Sequence, residues 1–194
     1  MRRRRSLFVI CFAAVLSGGA IAADRAAATQ SLVLDPQRSN IEVFVHTAWT
    51  SFWSRLQKFH GDIAIVPEER RIEHAELDLQ LSDLKTGVSK RDRDMLVWEE
   101  NSRFPNVRFR LDALEPAEHG LVARGSLSIH GIEHAVSFPI SILAEGSLYA
   151  IDGELWLDYR DFGLPPLRKM YFLTVDPQLQ VRFHVQGRLA SAEL

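Results

Sequence analysis

In residues 179 to 186, Leu179, Val181, Phe183 and Val185 alternate with Gln180, Arg182, His184 and Gln186. A period of two places every second side chain on one face, which an extended strand does and a helix cannot. The same alternation returns along the chain: Ile41, Val43 and Val45; Ala75, Leu77, Leu79 and Leu81; Val107, Phe109 and Leu111; Leu127 and Ile129; Val136, Phe138, Ile140 and Ile142; Leu155 and Leu157 around Trp156. Polar residues fill most of the gaps, as in antiparallel strands with one wet and one apolar face. Turn signals punctuate the runs at Asp35-Pro36, Val66-Pro67, Glu118-His119-Gly120, His130-Gly131, Asp152-Gly153 and Asp176-Pro177. Seven or eight short strands predict either a sandwich or a closed barrel.

Residues 84 to 104 alone break the pattern. There the segment from Ser89 to Glu100 reads as a short helix, with Pro105 fixing its end. Its acids, Asp92, Asp94, Glu99 and Glu100, surround Met95-Leu96-Val97-Trp98. Asp92 and Asp94 point about 200° apart on a helix, so they form no acid/base pair. Arg91 and Arg93 interleave with them, the mark of a solvated face. Met95, Leu96 and Trp98 then form the underside, the acids are the wet side, and the helix caps the strands.

The chain opens on MRRRR, followed by an apolar stretch that relaxes into Ala20-Ile21-Ala22. This predicts a secretory signal over residues 1–23, cleaved after Ala22 or Ala23, then a linker over 24–31 and one domain over 32–190. The alternative is a membrane anchor, against which Ser17-Gly18-Gly19 interrupts the apolar run. Arg4-Arg5-Ser6-Leu7-Phe8 also fits a twin-arginine signal loosely, leaving the export route open. Export predicts a periplasmic or secreted protein. Cleavage would remove Cys11, the one cysteine, and with it any disulfide or thiolate chemistry. It would also remove Arg2 to Arg5, leaving 19 basic against 25 acidic side chains. An acidic exported domain argues against nucleic acid as a partner.

No nucleophile elbow, phosphate loop or dinucleotide fingerprint is present. His130-Gly131-Ile132-Glu133-His134 spans a predicted hairpin. Its histidines either face each other across the turn, close enough to share a metal, or are simply solvated. Trp49, Phe52, Trp53 and Phe59 either complete a core, cap a barrel end or line the mouth of an apolar site.

The ordered set LDPQRSNIEVFV, FHGDIAI, LSDLKTGVSKRDRDML, FPNVRF, GSLSIHGIEHAVSFPI and DYRDFG resembles the YceI-like proteins, exported lipid- or polyisoprenoid-binding proteins. The resemblance runs from Ser31 to Leu189. It implies an all-β fold: an extended eight-stranded antiparallel lipocalin-like barrel with one short capping helix, at about residues 89–100. It also implies an elongated apolar cavity for an isoprenoid chain, such as a quinone tail, or another long amphiphile, with no catalysis, metal or cofactor beyond that ligand. Where family members carry two histidines and an arginine, this chain has Arg38, Thr47 and Tyr159. Those departures bear on the ligand's head group rather than on the barrel.

The expected cavity lining is Ile41, Val43, Val45, Leu77, Leu79, Met95, Leu96, Trp98, Val107, Phe109, Phe138, Ile140, Val181 and Phe183. Burying roughly 300 Å² of ligand at ~25 cal/mol/Å² gives on the order of 7 kcal/mol before ordering costs. Expected partners are a long-chain isoprenoid or lipid and a transient membrane-protein partner in the envelope, with the chain a monomer or homodimer. Two readings stand beside this one: an envelope stress or interaction protein with a filled barrel, and an enzyme using Asp92, His130 or His134 on a bound lipid.

Overall fold

A strand apolar on one face needs cover, and here the sheet covers itself by closing. The computed structural model describes residues 28–56, 58–118, 120–169 and 173–190. The predicted signal over residues 1–23, and residues 24–27 of the linker after it, lie outside them. Among the described residues, no helix is long and apolar enough to cross a membrane.

The strands are β1 (Gln30–Leu34), β2 (Asn40–His46), β3 (Ser51–Leu56), β4 (Phe59–Val66), β5 (Arg71–Gln80), β6 (Leu84–Lys85), β7 (Asn106–Ala117), β8 (Gly120–Ile129), β9 (Ile132–Glu145) and β10 (Leu148–Asp158). A two-residue ribbon, β11 (Arg168–Lys169) with β12 (Leu173–Thr174), precedes β13 (Gln178–Leu189). One helix, α1 (Ser89–Trp98), joins β6 to β7.

Several of these strands are halves of one longer run. β1 and β2 both lie along β13, with Leu34 opposite Gly187 and Ile41 opposite Phe183. Between them the chain bows out at Asp35, whose Oδ1 accepts the Gln37 N–H at 2.9 Å. Ser39 Oγ accepts the Gln186 N–H at 3.0 Å, supplying the partner the interrupted ladder lacks. β3 and β4 are broken alike, and so are β5 and β6. The sheet is therefore eight runs of chain, each paired antiparallel with the next and the last with the first, a closed up-and-down barrel.

Two expectations need adjusting, and one register shift adds to them. Asp152-Gly153 is no turn: β10 runs straight through it, and the hairpin falls at Gly146-Ser147. The Phe183 ring stands where a side chain on Gly153 would be, so glycine here makes room for packing. In β7 the register shifts between Leu111 and Ala113, so inward-facing positions pass from Leu111 to Leu114. Finally, α1 stops at Trp98, well before Pro105. Its end is set by a Schellman motif: the Asn101 N–H reaches Leu96 O at 2.9 Å, the Glu100 N–H reaches Val97 O at 3.2 Å, and Glu100 takes a left-handed φ of 49°.

The two barrel ends differ. At the end bearing the β4–β5 turn, the start of β1 and the end of β13, Leu32, Ile65 and Tyr149 pack into a solid floor. The other end gathers the β2–β3 hairpin, α1, the β8–β9 turn and the 3₁₀ turn Tyr159–Phe162. Polar pairs such as Asp152–His184 and charged pairs such as Glu154–Arg182 ladder the outer wall, where such pairs add little stability.

Candidate functional site

Between floor and cap the barrel encloses a cavity of about 200 Å³. Ile41 and Val43 of β2, Leu77 and Leu79 of β5, and Val107 and Phe109 of β7 line it. So do Phe138 and Ile140 of β9, Val181 and Phe183 of β13, and Trp98 of α1. Alternation turned these side chains inward, and closure brought them together. Phe138 is the centre of an aromatic row, with its ring 5.5 Å from Phe109 and 5.8 Å from Phe183.

Three of the expected lining residues are not in the wall. Val45 lies beyond the last β2–β13 pair, Phe44 with Gln180, and faces Phe52 of β3 instead. Met95 packs against Ile41, Leu56 and Leu84, while Leu96 packs against Leu81, Val107, Leu127 and Phe162. Both seat the helix on the barrel rim and leave the cavity to Trp98.

Among the thirty lining side chains, three bear a polar atom: Trp98, Tyr159 and Glu99. The Trp98 indole N–H donates to Pro165 O at 3.0 Å. The buried Tyr159 hydroxyl accepts the Leu167 N–H at 3.2 Å and donates to Val175 O at 3.4 Å. Glu99 differs. It is only 8% exposed, and its Oε2 is buried with no hydrogen-bond partner. Burial away from compensating charge pushes its carboxyl up to about 7. The expectation that the helix acids are all its wet side is therefore wrong for Glu99.

Asp92 is also drawn in. Partial burial pushes its carboxyl upward, but hydrogen bonds from the Thr86 hydroxyl and N–H outweigh that and hold it below its ordinary value. This pins the loop that leads into α1. Arg91 lies over the Phe52 ring at 3.6 Å and donates to Thr86 O. Asp158 accepts the Arg160 guanidinium and N–H, which together hold its carboxyl low and start the turn that presents Tyr159.

The hairpin histidines do not meet. His130 sits in the turn itself, φ 53°, with its ring 4.3 Å from Phe104, whereas His134 pairs with Leu127 and stands edge-on to Phe162. Among the described residues, no three His, Cys, Asp or Glu side chains gather as a metal site. Of the aromatic group, Trp49 is 79% exposed, and Trp53 pairs with Phe44 at 4.9 Å on the outer wall. Only Phe59 joins the core. Arg38 is exposed and pairs with Asp35 at 3.7 Å. Thr47 is buried, bridges to Val175 and caps its hairpin by donating to Thr50 O at 2.7 Å.

Residues 32–187 match the family model of the YceI-like domain. No curated protein matches the chain. Among solved structures, BcnA of Burkholderia cenocepacia superposes with a TM-score of 0.71 at 18% identity, over 79% of this chain and 99% of that one. A polyisoprenoid binding domain from Saccharophagus degradans, implicated in plant cell wall breakdown, gives 0.65 at 14% identity, over 83% and 99%. A YceI protein of Campylobacter jejuni gives 0.62 at 12% identity, over 70% and 83%. At such identities the likeness speaks for the fold.

Proposed function

The chain belongs to the YceI-like family, and on that premise we propose that it is an exported, non-catalytic binding protein for a long-chain isoprenoid, such as a quinone, or a similar lipid. The ligand's tail lies in the barrel, to be stored or passed on. The observation that carries this is the wall: thirty side chains around one cavity, almost all hydrocarbon. A flexible apolar chain has few groups to hydrogen-bond, so it needs area more than polar contacts. The Saccharophagus domain of the same fold is itself described as polyisoprenoid-binding, which supports the ligand class. Export rests on the basic, apolar and small-residue succession of residues 1–23. In water such a tail would aggregate or stay in a bilayer, and a closed barrel gives it a soluble route to a membrane-bound partner.

Vesicles doped with a labelled isoprenoid quinone provide the test. Delipidated protein re-isolated from them should carry about one labelled molecule per chain at saturation, and no transfer above that to an unrelated protein contradicts the reading. The filled-barrel alternative suits the floor at Leu32, Ile65 and Tyr149, but leaves the cavity above it unaccounted for.

A further inference from the structure

We infer that the Glu99 carboxyl receives a hydroxyl on the ligand's polar end, so that the cavity selects an isoprenoid alcohol or hydroquinone over chains with an ether or anionic head. This rests on the isoprenoid reading of the cavity and specifies which end chemistry it takes.

Of the polar groups in the wall, Trp98 and Tyr159 are satisfied by the protein's own backbone. Glu99 is not: its Oε2 is buried and unpartnered, and its residue lines the cavity. A buried carboxyl without a partner is costly, and few native groups are left so. Nothing in the helix requires it there, since Glu99 ends α1 through its backbone N–H, which donates to Met95 O at 2.9 Å. The Schellman motif around Glu100 fixes the direction of the chain at this point. The carboxyl is thus a fixed acceptor in an apolar wall, at the end where the helix meets Pro165.

The donor must suit an acid whose burial brings it near neutrality. As a carboxylate Glu99 only accepts, whereas as the neutral acid it accepts and donates. A hydroxyl donates and accepts, so it pairs with both forms. An ether oxygen pairs only with the acid. A phosphate or carboxylate head would bring a second negative charge into the same apolar wall.

Geranylgeraniol, its methyl ether and its monophosphate share one tail and separate these cases. Their affinities for the delipidated chain are to be measured at pH 8 with wild type, Glu99→Leu and Glu99→Gln. Wild type should bind the alcohol roughly tenfold more tightly than the ether, the scale of one hydrogen bond to a buried carboxylate. The phosphate should bind more weakly than the alcohol. Glu99→Leu should bring the alcohol's affinity down to that of the ether and so erase the preference, and Glu99→Gln, which still offers an acceptor, should restore part of it. Equal binding of the three heads by wild type, or an unchanged preference in Glu99→Leu, overturns the inference and leaves the isoprenoid reading standing. Failure of all three to bind overturns both.

Discussion

Trp98, the last residue of α1, meets Tyr159 of the 3₁₀ turn edge-to-face, with ring centroids 5.1 Å apart and planes at 89°. Together with the indole hydrogen bond to Pro165, this contact ties the helix to the β10–β13 connection across the mouth of the barrel. Trp98→Ala removes both. We expect a loss of about 2 kcal/mol in urea unfolding, below the range for a fully buried aromatic because Trp98 is half-exposed. A bound chain should also dissociate faster. Tyr159→Phe, which removes only the hydroxyl, should cost about 1 kcal/mol.

Phe138 stands between Phe109 and Phe183 and lines the cavity. Phe138→Arg places an unpaired charge in a hydrocarbon wall and should unfold the protein or cost several kcal/mol. Phe138→Trp has open space to grow into. Its stability should fall by under about 1.5 kcal/mol while uptake of a long chain drops sharply. A solid core would give a large stability loss with Trp as well, so paired melting and uptake curves separate the two cases.

Glu99 makes stability depend on pH. Its ordinary value is 4.5, and burial raises it to about 7 in the folded chain. Below 4.5 the acid is neutral in folded and unfolded chains alike. As pH rises through that window, the unfolded chain releases its proton first, so the folded state progressively loses stability, a loss that is complete above about 7. At about 1.4 kcal/mol per unit, the loss approaches roughly 3 kcal/mol. Glu99→Gln should therefore be more stable than wild type at pH 8, with the gap closing towards pH 4.5 in chemical denaturation.

Glu100 occupies the left-handed position that usually falls to glycine, at φ 49°. Glu100→Gly should raise stability by roughly 0.5–1 kcal/mol, because it relieves the side chain's clash in that conformation. Its exposed contact with Arg103, at 3.7 Å, adds little to set against this. Thermal melting of the two proteins checks it.

The barrel was legible because a half-buried strand must alternate, and Leu179 to Gln186 or Ala75 to Leu81 can do little else. Closure was legible only through the resemblance to the YceI-like proteins, since alternation is the same in a sandwich. What was missed lies where local rules compete. Asp152-Gly153 has turn chemistry, but Phe183 needs the space above Gly153. Asp112 carries no mark of the register shift that turns Leu114 inward. Residue type leaves Trp53 to a core, a barrel end or a mouth, whereas it stands opposite Phe44, on the outer face of β2. Glu99 is the instructive case. Counted among acids, it belongs to the wet face. Counted by position, it follows Met95 by four and Leu96 by three, and so shares their inward face. Tyr159 follows no period, being presented by the short turn that Asp158 begins.

The central claim is that the barrel holds a long apolar chain. Its most direct measurement is mass spectrometry of an organic extract from protein purified without detergent. A long-chain isoprenoid or lipid at close to one molecule per chain, lost in proportion from the Phe138→Trp variant, is the predicted result. Repeated extracts without a stoichiometric long-chain amphiphile, from protein that also takes up no added quinone, would contradict it.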